Sequence, residues 1–208
     1  MTLGTLYHSG HVLLLAKAAY ERSAKLSSES EVCIALSAAA FEGFLNELAH
    51  MFRNHEEPES AVALAEVLAE AEDARVSPIT KFRLAAFALS GRFPRRDDLT
   101  VQRLSALMRL RNSLMHLRPD PVFTLDETYE HQVKNLKPPT EVALLVSEGV
   151  VSLPKKYSGS WRQLMSTQEV ARWGYNSSVS AMLWLTDAAS DPVVEERMRF
   201  MTDHLPKL

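Results

Sequence analysis

Cysteine is nearly absent from the sequence: Cys33 is the only one in 208 residues. A single thiol excludes an internal disulfide framework and a zinc cage built from thiolates. Because the residues on both sides of Cys33 are apolar, we expect it to be a small buried side chain. His8 and His11 lie three residues apart, but no carboxylate is spaced to complete a metal site with them. We therefore expect neither a metal nor another cofactor.

Long uninterrupted apolar runs are also missing, and no stretch reaches the length of a membrane span. The first 23 residues, MTLGTLYHSGHVLLLAKAAYERS, carry no basic run before their apolar stretch and no small-residue cleavage site. They predict a first helix rather than a secretion signal. We therefore expect a cytoplasmic protein that does not associate with a membrane.

An excess of positive charge is lacking as well. The formal net charge is −3, which argues against a protein that coats nucleic acid electrostatically. The charge is unevenly distributed, however: residues 42–73 hold nine acids and one base, whereas residues 92–118 hold seven arginines and two acids. Either these regions complement each other, within the fold or across a dimer, or part of the arginine set contacts phosphates.

Glycine and proline are sparse, with 7 and 10 residues, and apolar residues recur at the three- and four-residue spacing that is typical of helices. Pro58, Ser77-Pro78 and Gly91 mark helix ends, and Pro119 stops the fifth helix. The fold class is therefore expected to be all-α, a helical bundle in one domain of 1–208. The predicted helices cover residues 5–26, 28–55, 58–74, 78–91, 98–117, 160–173, 176–190 and 192–203.

The stretch 118–160 differs from the rest of the chain. It contains five prolines and one run, 141–153, that is rich in β-branched residues. We interpret this stretch as an irregular insertion with a short β-hairpin. The bundle itself is then expected to consist of a core over 5–118 and of C-terminal helices over 160–203.

The fifth helix carries an arginine in an unexpected place. Arg111 falls in the middle of the apolar stripe of this helix, where an unpaired charge is costly. That stripe consists of Val101, Leu104, Leu107, Met108, Leu114 and Met115. A separate polar stripe consists of Gln102, Ser105, Arg109, Asn112 and His116. Arg111 therefore needs a partner or a wet pocket.

The second helix offers partners for Arg111. Beside its apolar seam of Ile34, Phe41, Leu45, Leu48 and Phe52 runs a stripe of small residues that also holds Glu42 and Asn46. Glu42 and Asn46 are one turn apart and share a face. They suit a guanidinium and an imidazole as partners. In the simpler interpretation, Glu42 and Arg111 form an interior ion pair that only organises the core.

The run Arg111-Asn112-Ser-Leu-Met-His116 matches the R-(N/D/H)-x-x-x-H signature of HEPN domains, and the helix Ile34–His50, with its Glu and Asn, is similar to a second helix of that family. Residues 5–118 thus resemble the HEPN family. The resemblance implies a compact helical bundle that dimerises with its motif helices facing each other. Many HEPN proteins are metal-independent endoribonucleases of toxin–antitoxin, abortive-infection and CRISPR systems; others have lost catalysis and serve as interaction modules.

The motif residues suit metal-free RNA cleavage. Because the intrinsic pKa of an imidazole is close to neutrality, His116 can serve as acid or base, and Arg111 can hold the scissile phosphate through two hydrogen bonds. Asn112 can orient the imidazole or bind a phosphate oxygen. Because one histidine per chain is short of two proton-transfer roles, we expect a homodimer through the motif helix. The expected products are a 2′,3′-cyclic phosphate and a 5′-hydroxyl.

Other charged and aromatic residues are candidates for RNA contacts. Two of these candidates are Arg109, on the motif helix, and Arg118, which follows the motif in the sequence. A second group lies in the insertion and just after it: Lys155, Lys156, Tyr157 and Trp161. The competing interpretation of this second group is an aromatic anchor that fixes a long loop.

Three functions remain open at this point. The first is a homodimeric HEPN-type ribonuclease with an RNA substrate, in toxin–antitoxin or phage defence, with an antitoxin or another protein as a further partner. The second is a non-catalytic HEPN-like scaffold that binds a protein partner or a nucleotide. The third is a helical regulator that uses the arginines of 92–118 on DNA.

Overall fold

In a computed structural model, the described residues are 8–53, 58–115, 122–125, 138–154, 156–205 and 207–208. Helices make up most of them, and strand is confined to two four-residue segments. The predicted all-α fold class is therefore confirmed.

The elements follow one another along the chain as nine helices and two strands in the described part. They are α1 (Ser9–Ser23), α2 (Ser28–Met51), α3 (Glu59–Asp73), α4 (Pro78–Ser90), α5 (Leu99–Met115), β1 (Val122–Leu125), α6 (Thr140–Ser147), β2 (Tyr157–Ser160), α7 (Trp161–Met165), α8 (Gln168–Ala188) and α9 (Pro192–Thr202). The ends of α2 to α5 agree with the sequence prediction to within a few residues. Gly91 ends α4 in the left-handed conformation, with φ of 69°, as its position in the sequence predicts.

Helix α2 lies at the centre of the fold and packs against α1, α3, α5 and α8. Its predicted apolar seam is buried, and Cys33 is buried beside that seam. Burial raises the pKa of the Cys33 thiol to about 11. Among the described residues, α2 is also the one helix long and apolar enough to cross a membrane, but half of that stretch is buried within the protein. Helix α2 is therefore a core helix of the fold.

Helix α8 corrects the prediction for the C-terminal part of the chain. Two helices were expected over 160–173 and 176–190, but the break between them lies earlier, before α8, which runs without interruption from Gln168 to Ala188 and is capped by the side chain of Thr167. Gly174 leaves room where α8 crosses α2 and α5: a Cβ there would lie 3.4 Å from Ile34 and from Leu107. Asn176 remains helical, and its side chain bonds the backbone of Leu208. Gly174 and Asn176, which lie at the predicted break, therefore do not end the helix.

The interpretation of 141–153 as β-leaning is wrong. Thr140–Ser147 is a helix whose residues Val142 and Leu145 are buried, and it packs against α5. The short strands lie elsewhere: β1 pairs antiparallel with β2, with Val122 opposite Ser160. Two buried side chains three residues apart that pack against α5 are typical of a helix. This packing outweighs the strand preference of the β-branched residues in the run.

An ion pair joins α2 to α7. Arg162 donates to both carboxylate oxygens of Glu31, at 2.8 and 2.5 Å, and Ser166 donates to the same carboxylate at 3.0 Å. These hydrogen bonds, led by those from Arg162, lower the pKa of Glu31 below its usual value.

We expect Glu31→Gln to reduce the acid sensitivity of the fold. Because the pKa of Glu31 is lower in the folded than in the unfolded chain, its stabilisation is fully present above the unfolded pKa and is lost as pH falls through the folded pKa. Urea unfolding at steps from about pH 6 to about pH 3 should show a steeper loss of stability for the native chain than for the variant. Parallel curves would contradict the prediction.

Candidate functional site

The fully buried part of the apolar stripe of α5 lies in the first three turns of this helix. Val101, Leu104, Leu107 and Met108 are buried. Leu114 is partly buried and still packs against the core, whereas Met115, expected on the same stripe, is 65% exposed. Towards its carboxyl end α5 therefore passes from buried to exposed side chains.

Arg111 lies at this transition and is paired with Glu42 of α2. Its Nη2 donates a hydrogen bond to Glu42 Oε1. The Arg111 side chain is 27% exposed and the Glu42 side chain 34% exposed. The predicted partner is thus correct, but the interior location is not, because solvent reaches both groups. Among the described residues, Arg111 donates no further hydrogen bond, so its other nitrogens are free to bind a ligand.

The pair borders a cleft of about 370 Å³ between α2, α5 and the junction of α3 with α4. Asn46 and Asn112 line it as well, and neither amide is hydrogen-bonded to another described residue. The four candidate residues Glu42, Asn46, Arg111 and Asn112 therefore meet in one place. The remaining lining residues are Glu72, Arg75, Val76, Ser77, Pro78, Lys81 and Met108.

Lys81 is a residue of this cleft that the sequence analysis missed. It is only 8% exposed, and its Nζ donates to the carboxylate of Glu72. Desolvation lowers the pKa of the Lys81 amine. A lysine in the first turns of an amphipathic helix is usually solvated, and nothing in the local sequence distinguishes this one.

Arg75 is the second missed residue, and its backbone is in an unusual conformation. Its φ is 53°, the left-handed region, and it is the only described residue other than glycine there. The helix end is a Schellman motif, in which Arg75 N donates to Glu72 O and Val76 N donates to Ala71 O, both at 2.9 Å. Glycine is the usual residue at this position. The strain is therefore concentrated on a residue that lines the cleft.

The start of α4 adds to the positive character of the cleft. Ser77 caps the helix by accepting a hydrogen bond from Thr80 N at 3.3 Å, and both Ser77 and Pro78 line the cleft. The amino end of a helix carries a partial positive charge. Three cationic and two anionic side chains line the same space. The arrangement favours an anion that accepts hydrogen bonds from guanidinium and amide groups.

The remaining candidates lie elsewhere in the fold or outside the described residues. His116 follows directly on the last residue of α5 but, like Arg118 and Lys155, lies outside the described residues. Trp161 is only 8% exposed, and Tyr157 donates its hydroxyl proton to Ser160 O at 2.8 Å. These positions fit an aromatic anchor of the insertion, because a buried indole cannot stack on a base.

The arginines of 92–118 differ in their partners. Arg103 donates to Glu148 at 3.0 Å, and Arg95 donates to Asp97 at 2.6 and 2.9 Å. Arg111 is the one that pairs with the acidic region of 42–73 in the described part of the chain. Within the described residues, the acidic and the arginine-rich regions are therefore joined by a single ion pair and do not pair along their length.

We expect Arg75→Gly to be more stable than Arg75→Ala by about 1 kcal/mol, because glycine adopts the left-handed conformation without steric cost. Both variants remove the guanidinium, so the difference reports on the backbone alone. Urea unfolding at neutral pH measures it. Equal stabilities of the two variants would contradict the strained conformation of Arg75.

Among the described residues, no group of three or more His, Cys, Asp or Glu side chains is placed to hold a metal ion. Comparisons of the chain with protein-family models, with curated proteins and with solved structures find no match. The functional argument therefore rests on the chemistry of the residues and on the geometry of the cleft.

Proposed function

We propose that the chain is a metal-independent endoribonuclease of the HEPN type that acts as a homodimer. One observation carries the proposal: Arg111 and Asn112, the first two residues of the motif, line a solvent-accessible cleft together with Glu42 and Asn46. Glu42 and Asn46 come from α2, and Arg111 and Asn112 come from α5. Both helices belong to the core.

Arg111 would bind the scissile phosphate. Glu42 holds one terminal nitrogen of its guanidinium, which fixes the orientation of the group before substrate arrives. The other nitrogens would donate to non-bridging phosphate oxygens and stabilise the negative charge that grows on them in the transition state. Asn46 and Asn112 supply amide donors at the same cleft.

His116 would move the protons. In the sequence it lies four residues after Asn112 and directly after Met115, the last residue of α5. One imidazole removes the proton of the ribose 2′-hydroxyl, and the 2′-oxygen attacks the phosphorus. The bond to the 5′-oxygen breaks, and that oxygen takes a proton from a second imidazole. The products are a 2′,3′-cyclic phosphate and a 5′-hydroxyl.

The second imidazole would come from a second copy of the chain. Asn112, Ser113 and Met115 are exposed on the last turn of α5, and Met115, which is 65% exposed, is a large apolar side chain beside the motif. A two-fold axis near this turn would cover Met115 and bring the two motifs together. We place such an enzyme in the cytoplasm, in toxin–antitoxin or phage defence, where an antitoxin or another protein would be a further partner.

The Glu42–Arg111 pair also favours a second candidate, a non-catalytic HEPN-like scaffold that binds a protein partner or a nucleotide. A pair that neutralises Arg111 in the free protein can serve to align α2 with α5 without any substrate. In that case the same last turn of α5 would act only as an interaction surface. RNA cleavage distinguishes the two functions.

We expect the purified chain to cleave a mixed-sequence RNA in the presence of EDTA, and His116→Ala to lower the rate at least about 100-fold, because it removes the acid and base. Arg111→Lys should lose much of the activity too, since a lysine cannot form two parallel hydrogen bonds to one phosphate. Gel analysis of end-labelled RNA measures the rates. Phosphatase treatment with and without prior opening of the cyclic phosphate identifies the product ends.

His204→Ala is the matched control. His204 follows Arg199 at the same five-residue spacing but lies on the exposed end of the chain after α9, so its removal should leave cleavage unchanged. Met115→Glu should give a monomer in analytical ultracentrifugation and lose cleavage with it. Identical RNA degradation by the native chain and by His116→Ala would exclude the nuclease and leave the scaffold.

A further inference from the structure

A second cleft, of about 730 Å³, lies between α4, α5 and α6. It shares no lining residue with the cleft at Arg111. Its volume is in the range of small-molecule sites. Both clefts border α5: Arg109 lines the second, and Asn112, about one turn further along the helix, lines the first. We refer to the second cleft as the α4–α6 groove.

Three arginines, Arg83, Arg96 and Arg109, line the α4–α6 groove. Among the described residues, no carboxylate lies within ion-pair distance of any of these three arginines. Arg103 and Arg111 of α5, by contrast, are each paired with a glutamate. The groove also holds one carboxylate, Glu141, so its side chains carry an excess of two positive charges. Such an excess attracts an anion.

Arg83 is a costly residue of the groove. Its Nε is buried and, within the described part of the chain, has no hydrogen-bond acceptor, which is unfavourable. A phosphate bound by the terminal nitrogens of the same guanidinium would offset this cost. The guanidinium carbon of Arg83 also lies 5.7 Å from the centre of the Phe93 ring, a cation–π contact that holds the side chain in place.

An aromatic surface continues from this contact. Phe93 and Phe87 are stacked, with ring centres 4.6 Å apart and an angle of 16° between the rings. They are nonetheless 52% and 46% exposed. Two exposed stacked phenyl rings next to an arginine are the kind of surface on which bases of a single strand stack.

The rest of the groove suits a nucleotide better than a bare phosphate ion. Its lining mixes apolar side chains with hydroxyl and amide groups that can bind a ribose or a base edge. These residues are Ile79, Val101, Gln102, Ser105, Ala106, Thr140, Ala143, Leu144 and Ser147. From Gln102 to Asn112, α5 rises about 15 Å along its axis, enough for a few nucleotides that end at the cleft of Arg111.

We propose that the α4–α6 groove, together with the Phe87–Phe93 surface, binds a segment of single-stranded RNA next to the cleft at Arg111. Arg83, Arg96 and Arg109 contact its phosphates, and Phe93 stacks on a base. The choice of RNA as the ligand rests on the proposed function. The evidence for an anion-binding groove comes from residues that do not line the cleft at Arg111, and RNA binding to the groove is measurable without cleavage.

The test uses the full chain with His116→Ala, so that the probe stays intact. Fluorescence anisotropy with a labelled single-stranded RNA of about ten nucleotides gives Kd at several salt concentrations. Arg96→Gln and Arg109→Gln should each raise Kd several-fold and lower the slope of log Kd against log salt by about 0.7, the value for one phosphate contact on a single strand. Phe93→Leu should raise Kd at least about fivefold through lost stacking.

Arg172→Gln is the matched control, since Arg172 is an exposed arginine of α8 outside the groove and its loss changes the net charge equally. Its Kd should equal that of the parent. Arg96 and Arg109 are exposed as well, so their variants should unfold at the same temperature as the parent. Equal weakening by all three arginine variants, unchanged binding in the groove variants, or equal competition by duplex RNA would each overturn the proposal.

Cleavage assays separate this proposal from the nuclease itself. In the otherwise native chain, Arg109→Gln should raise KM and leave kcat unchanged, because it removes binding that is equal in the ground and transition states. Cleavage with an unchanged KM would refute the groove and leave the nuclease intact. Binding that depends on the groove in a chain that cleaves no RNA would refute the nuclease and leave the groove.

Discussion

The ion pair between Glu42 and Arg111 is the interaction on which the candidate site depends. It joins the two core helices α2 and α5 near the carboxyl end of α5, and it gives a partly exposed guanidinium a fixed position. Because both side chains are about one third exposed, the pair contributes about 1 kcal/mol or less to stability. A pair of this kind orients a charged group firmly and still allows a phosphate to compete for it at little cost.

The other residues of that cleft are held at an energetic cost. Arg75 adopts a backbone conformation that costs roughly 1 to 2 kcal/mol outside glycine, and Lys81 loses enough hydration for its pKa to fall. Core packing of α3 and α4 against α2 offsets both costs. Strain and desolvation that coincide at one cleft favour a binding role for it, since a pair that only organised the core would require neither.

The sequence predicted what depends on spacing within one helix. Glu42 with Asn46, and Arg111 with Asn112, share a helix face by local geometry, and their facing positions followed from the apolar stripes. Arg75 and Lys81 could not be found in this way, because the junction of α3 and α4 reaches the cleft only through the packing of those helices. The same reason explains the error at 141–153: Val142 and Leu145 are buried against α5, a contact that no local pattern encodes.

The distribution of charge along α5 is compatible with both the proposed dimer and the proposed RNA segment on one helix. A two-fold contact across the middle of α5 would bring Arg109 of one protomer near that of its partner, and like charges would repel. The exposed residues of the last turn, Asn112, Ser113 and Met115, are uncharged, so a symmetric contact there meets no such repulsion. We infer a division along the helix, with protein contacts at its carboxyl end and phosphates beside Arg109. Arg111, which is paired with Glu42, lies between these two parts of α5. It would then contact a bound RNA strand close to the second copy of the chain.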